Sequence, residues 1–194
     1  MGRPYHTNRN SKPILELEYK ILKSYINGLD TFETTKVKWL RSVEMLYMSG
    51  LRVSELLEIK IKDIQDGIDK GELSVFIKKQ KIIRHIPLSK KSISILKKLI
   101  DNETDMESYF IHKRNNGRNN LNHIGFTKDF NQLIQLVLGK EFSTHSFRKG
   151  LITEFSKKGI NPKITQTFIG HRNVTTTLNY YKPTVEDVRE CLVR

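Results

Sequence analysis

Leu46-Tyr47-Met48-Ser49-Gly50-Leu51-Arg52-Val53-Ser54-Glu55-Leu56 is the stretch on which the reading of this chain turns. An apolar run stops at a glycine, and Arg52 then opens a second, short apolar run. Glu55 follows three residues later, on the same helical face as Arg52. Arginine presents a planar, permanently charged donor fork that fits phosphate oxygens. On this segment alone, an anion-binding arginine and an ordinary Arg–Glu surface pair are equally good readings.

Working outward, the spacing predicts a helix over about Thr34 to Ser49 with Gly50 as its stop. Val37, Leu40, Val43, Met45, Leu46 and Tyr47 are available to its core face. A short helix follows, from Val53 to about Glu58. Upstream, Ser11 and Pro13 look like a helix start and Gly28 like its end, with Ile14, Leu17, Ile21, Leu22 and Tyr25 at helical spacing. Downstream, Gly71 to Ile77 and Ile82 to Ile86 are β-prone. Lys78 to Lys81 separates them, which predicts a hairpin with a basic turn. Ile64 to Ile68 is expected to add a further strand. Ser89 caps a helix carrying Ile93, Leu96 and Ile100, and Asn115 to Asn122 is an exposed loop.

Helices then run from about Ile124 to Leu138 and from His145 to Lys158, with Gly159 as a stop. Asn161-Pro162 opens another as cap and first-turn proline, ending at Gly170. Two short helices, Thr175 to Tyr181 and Val185 to Val193, are split by Pro183. The expected class is α+β, mainly helical, with one small antiparallel sheet and no linker after about residue 12.

Composition narrows the function. The 194 residues hold 34 Lys plus Arg against 21 Asp plus Glu, a formal charge of +13. Cations that neutralise phosphates release condensed counterions, so such a surplus favours a polyanion. The charge is also uneven: Ile77 to Lys98 contains eight Lys or Arg and no acid. That stripe is the footprint of nucleic-acid binding, against a merely solvated basic surface. The single cysteine, Cys191, excludes an internal disulfide framework and a cysteine-based zinc cluster, and suits a reducing compartment. Apolar runs are too short for a membrane helix.

Three further places carry candidate chemistry. His145 and Arg148 in Thr144-His145-Ser146-Phe147-Arg148 share one helix face near its start, while Phe147, Leu151 and Phe155 take the core side. They suit an anionic group, or else the histidine packs at a helix cap. Gly170-His171 places a histidine just past a helix stop, and Tyr180 follows nine positions later beside Tyr181. A tyrosine hydroxyl serves as a covalent nucleophile only where cations stabilise developing charge; otherwise both tyrosines are packing residues. The hairpin turn Lys78-Lys79-Gln80-Lys81 could reach into a bound groove or simply be solvated.

Taken together and in this order, these residues resemble the tyrosine recombinase (phage integrase) family. Leu46 to Leu56 looks like its first box, His145-Ser146-Phe147-Arg148 like its H-x-x-R box, and Ile169-Gly170-His171-Arg172-Asn173 with Thr176 to Tyr180 like its closing box. The resemblance runs from about Lys12 to the end and implies the family's catalytic-domain fold. It also implies that Tyr180 attacks a scissile DNA phosphate to form a 3′-phosphotyrosyl link, with no metal, cofactor or ATP. Arg52 and Arg148 would clamp the phosphate and His171 would hydrogen-bond it. His145 would serve acid/base chemistry, and Lys79 would protonate the leaving 5′-oxygen. Glu55 would support the catalytic side chains. Lys78, Lys81, Arg84, Lys149 and Arg172 are assigned to the DNA backbone. The turn lacks the family's usual glycines, so Lys78 or Lys81 could stand in for Lys79. Tyr181 adjoins Tyr180, but the spacing from His171 favours Tyr180.

The resemblance further implies double-stranded DNA as partner and a homo-oligomer on it. Residues 1–11 form a basic arm, 12–183 the catalytic domain, and 184–194 a tail expected to dock on a neighbouring protomer. Family members carry a separate N-terminal helical domain that is not seen here, so the chain reads as a minimal recombinase or as a fragment. The expected location is the cytoplasm, on the nucleoid, or another reducing DNA-containing compartment. Two competing classes are a type IB topoisomerase, which would relax DNA without exchange, and a non-enzymatic DNA-binding module.

Overall fold

The computed structural model describes residues 11–78, 81–112, 117–170 and 174–181. The chain falls into two compact units, residues 1–151 and 152–194.

The first unit is helical with one hairpin. Its elements are α1 (Glu16–Asn27), α2 (Glu33–Ser49), α3 (Val53–Leu56), α4 (Ile61–Lys70), β1 (Glu72–Ile77), β2 (Ile82–Pro87), α5 (Lys90–Ile100), α6 (His123–Leu138) and the start of α7 (Thr144–Lys157). α2 is central: Val43, Met45 and Leu46 are completely buried, and Trp39 stacks on Phe130 of α6 at 5.2 Å. Phe130 in turn faces Phe147 of α7 at 6.2 Å, so an aromatic column runs from α2 to α7. Arg41 is also buried on α2. Its guanidinium donates to the Leu99 and Phe110 carbonyls and to Glu103, fastening α2 to the end of α5 and the segment beyond it.

The hairpin pairs antiparallel in the register Leu73↔Ile86, Val75↔Arg84 and Ile77↔Ile82. Leu73, Val75, Ile77, Arg84 and Ile86 are buried, while Phe76 and Ile83 form an exposed pair on the other face. α4 packs under β1, and Gly67 makes this close: a Cβ there would stand 3.2 Å from the Leu73 Cα.

Two expectations are corrected. Ile64 to Ile68 is not a strand but part of α4. Its isoleucines at 61, 64 and 68 are buried at helical spacing, the Asp63 side chain accepts from the Lys60 N–H at 2.8 Å, and Gly71 closes the helix at φ +72°. Second, α1 does not start at Ser11 or Pro13. Residues 11–15 lie outside any helix, and their donors are spent elsewhere: the Lys12 N–H on the Glu141 carbonyl and the Ile14 N–H on the Ser146 carbonyl, both at 2.9 Å. The helix begins at Glu16, where the Glu18 carboxylate accepts from the Leu15 N–H. Ile14 is buried, yet Leu17, Ile21 and Tyr25 face solvent on α1, where Leu22 and Ile26 make the core.

In the second unit, α8 (Pro162–Ile169) starts on the Asn161 side chain, which accepts from Lys163 N–H at 2.8 Å, and ends at Gly170 with φ +72°. α9 (Val174–Leu178) packs against α8 and is shorter than its expected span. Phe155 and Phe168 meet at 5.4 Å. The tail 184–194 and the arm 1–10 lie outside the described residues.

Candidate active site

The site begins at the turn that ends α2. Gly50 sits in the left-handed region, φ +59°, which glycine adopts without the steric cost of a Cβ. This sharp exit aims the Gly50 carbonyl at α7, where Arg148 Nη1 donates to it at 3.0 Å. Arg148 is 6% exposed, so its long side chain is fixed by protein before any ligand arrives.

Two residues on, Arg52 caps α3. Glu55 holds it twice: one carboxylate oxygen accepts from the Arg52 backbone N–H at 2.9 Å, the other from Nη1 at 2.6 Å. Glu55 is nearly buried while the Arg52 side chain stays more than a third exposed. The geometry therefore fixes the base of a guanidinium and leaves part of it available, as an anion clamp needs.

α7 brings His145 to the same region. Its helix start is tied by Ser143 N–H to Ser146 Oγ at 3.0 Å and by Thr144 N–H to Asn131 Oδ1 at 2.8 Å. The His145 side chain is exposed at the surface, yet protein crowding around it, then the positive charges of Arg148 and Arg52, hold its pKa below the ordinary histidine value. At neutral pH the ring is therefore neutral and able to take a proton.

Behind α7 lies the segment 11–15. Lys149 donates its ammonium to the Ser11 carbonyl, and the Ile14 carbonyl oxygen lies 1.9 Å from where a Cβ on Gly150 would be. The helix that bears His145 and Arg148 is thus clasped from behind by backbone. Lys149, expected on DNA, has its ammonium turned to this clasp.

The hairpin supplies a second correction. Arg84, also expected on the DNA backbone, is only 5% exposed. It donates to the Ser49 carbonyl, and its Nη1 lies 3.9 Å from Glu55 Oε2. Burial, and less so the charge of Arg52, lower its pKa to about 10 against the opposing pull of Glu55. Lys78 and Lys81 are exposed, as a groove-reaching role requires, and Lys78 pairs with Glu58 at 2.8 Å. Lys81 takes φ +53°, the conformation for which a glycine is the usual choice. Lys79, His171 and Arg172 lie outside the described residues.

In the second unit, Tyr180 and Tyr181 follow α9 in a tight turn, with N–H groups on the Thr177 and Leu178 carbonyls. The two tyrosines are held differently. The Tyr181 hydroxyl meets the buried Thr165 Oγ1 at 2.5 Å, while the Tyr180 carbonyl accepts from Ser156 Oγ at 2.6 Å.

Arg52, Glu55, His145 and Arg148 are thus gathered in one unit, and a tyrosine turn is built in the other. The sequence reading missed the inward role of Arg84 and the clasp at Gly150. The one available signal for Arg84 was its place two residues before Ile86, on the same strand face.

This fold is shared with solved integrases, and sequence comparison gives its family. The phage integrase family model matches residues 17–186, and the chain belongs to that family. It is 31% identical over 152 residues to the tyrosine recombinase XerA of Pyrococcus horikoshii, covering 76% of this chain and 51% of that one. It is 32% identical over 152 residues to a tyrosine recombinase of Thermosipho africanus, covering 76% and 50%. Among solved structures, the Tn1549 transposon integrase in complex with transposon right end DNA aligns with TM-score 0.74 at 22% identity, over 94% of this chain and 65% of that one. The chain thus spans about half the length of these curated relatives.

Proposed function

We propose that this chain is the catalytic part of a site-specific DNA recombinase that cleaves and rejoins strands through a 3′-phosphotyrosyl intermediate. The observation that carries the reading is the placement of Arg52 and Arg148 at one glycine turn, with a neutral His145 beside them.

In the proposed reaction the Tyr180 hydroxyl oxygen attacks the scissile phosphorus. Its proton passes to His145, and the bond to the 5′-oxygen breaks with Lys79 donating a proton to that oxygen. The phosphotyrosyl ester keeps the bond energy, so the reverse attack by a 5′-hydroxyl rejoins strands without ATP. Arg52 and Arg148 bear the charge that builds on the non-bridging oxygens; preorganised donors of this kind are worth roughly 3 kcal/mol each. Their guanidiniums supply the positive charge that a metal ion could otherwise bring. His171 hydrogen-bonds the same phosphate and Glu55 positions Arg52. The exposed hairpin cations and Arg172 hold the flanking backbone.

The tail 184–194 docks on a neighbouring protomer, giving a homo-oligomer on double-stranded DNA. Among the described residues no helix is long and apolar enough to cross a membrane. The proposed location is with DNA in a reducing compartment.

A nicked suicide duplex tests this directly. Cleavage next to the nick releases a short strand and traps the covalent adduct, which denaturing gels resolve. The wild-type chain is expected to form the adduct, Tyr180→Phe to form none, and Tyr181→Phe to retain it. An adduct lost in Tyr181→Phe and kept in Tyr180→Phe refutes the assigned nucleophile.

A further inference from the structure

Arg84 was expected to grip DNA, and the structure turns it inward. It stands on β2 opposite Val75, on the buried face of the hairpin. Its guanidinium donates to the carbonyl of Ser49, the last residue of α2. The next carbonyl, that of Gly50, takes Arg148. Its Nη1 also lies 3.9 Å from Glu55 Oε2, and the other oxygen of that carboxylate holds the Arg52 guanidinium. One side chain therefore hydrogen-bonds the end of α2 and stands at ion-pair distance from the carboxylate that orients Arg52. Its own strand, β2, begins at Ile82, next to the exposed Lys81.

From this geometry we propose that Arg84 is a positioning residue that ties the hairpin strands to the Arg52–Glu55 pair, so that β1, β2 and the arginine clamp are placed as one body. Arginine suits the place, because one nitrogen of its planar fork donates to a carbonyl while another is held 3.9 Å from a carboxylate, whereas an ammonium concentrates its donors at one point. Glu55 meanwhile faces two guanidiniums, which leaves the spot net positive and still neutralises the repulsion between them. The inference rests on the proposed transesterification for its catalytic readout, but not for its structural one.

The test uses the full chain with Arg84→Met and Arg84→Lys. Three quantities are measured: amide hydrogen exchange over residues 50–56 and 72–87 without DNA, the rate of covalent adduct formation at saturating nicked duplex, and the slope of log affinity against log salt. For Arg84→Met we expect at least tenfold faster exchange in both segments, at least tenfold slower adduct formation and an unchanged salt slope. Arg84→Lys is expected to recover part of the adduct rate. If Arg84→Met does not fold, Arg84→Lys carries the test, with a several-fold slower adduct at unchanged slope.

Wild-type exchange and wild-type adduct rate in either folded variant overturn the proposal. So does a slope reduced by about 0.9 at normal adduct rate, which makes Arg84 a phosphate contact. If the wild-type chain forms no adduct while exchange responds as expected, the transesterification reading fails and the anchor stands.

Discussion

The carbonyl oxygen of Ile14 occupies the space where a side chain on Gly150 would begin, 1.9 Å from the position of a Cβ. Backbone on both sides makes this contact, so no rotamer change can relieve it. Gly150→Ala is expected to push residues 11–15 off α7 and to destabilise the fold by about 1–3 kcal/mol, the range for a forced overpacking. Urea unfolding measures it. Because α7 carries His145 and Arg148, adduct formation should fall more than DNA affinity does.

Glu55→Gln is expected to slow adduct formation at least tenfold. The substitution keeps the shape and one acceptor oxygen but leaves Arg52 and Arg84 facing each other without a counter-charge. Removing the charge of a buried carboxylate leaves the buried Arg84 cation uncompensated, while solvent screens part of the loss at the partly exposed Arg52. Glu55→Gln should therefore also lower the unfolding midpoint, while Glu58→Gln, at the half-exposed partner of Lys78, should not. Thermal melts of the two variants decide.

Protonation of His145 sets an acid limit. Folding lowers its pKa below the ordinary value of 6.5, so the folded chain binds fewer protons than the unfolded one in that window. Stability should therefore rise with pH across it, and the loss should appear as pH falls through the unfolded value. In kcat/KM for adduct formation, the acid limb should have its midpoint below 6.5, since that ratio reports the free protein. His145→Gln should remove this limb; a limb that survives unchanged assigns it to another group.

Lys81→Gly separates two effects at the hairpin turn. Lys81 holds φ +53°, and glycine removes a left-handed strain of about 1–2 kcal/mol. The variant should therefore melt higher. It also loses an exposed cation, so the salt slope for DNA should shrink by about 0.9. A stabilised variant with an unchanged slope takes Lys81 off the DNA.

Thr165→Val should act on Tyr181 alone. It breaks the contact to the Tyr181 hydroxyl, worth about 1 kcal/mol, without touching the main-chain bond from Ser156 to Tyr180. Adduct formation should slow by a few-fold at most. Ser156→Ala, which releases the backbone of the proposed nucleophile Tyr180, should slow it further.

The helices, their caps and the hairpin are visible in the chain because they rest on local signals. Gly50, Gly28, Gly170, Ser89 and Asn161 punctuate apolar runs at helical spacing, and each stands where it was expected. α4 is misread because isoleucine is β-branched: Ile64 to Ile68 looks like a strand until Ile61 is included and the helical period appears. Arg84 is misread because Ile82, Ile83 and Ile86 fit no single alternation. Only the register against β1, which puts Val75 and Arg84 on one face, shows which side is inside. Gly150 gives no local cue at all, since the segment that needs its missing side chain lies far upstream. Of the site, Arg52, Glu55, His145 and Arg148 were legible as a set because two short motifs bring them in order. The assignment of cations to solvent was not legible, because charge alone does not say which way a long side chain points.

α2 is long, and its peptide dipoles add to a partial negative charge at the end where Ser49 and Gly50 stand. Left bare, that end would repel any anion brought to the turn. Arg84 and Arg148 donate to those two terminal carbonyls and so reverse the sign of the helix's own field there. A structure that most often welcomes anions at the start of a helix here makes a receptive site from the finish of one.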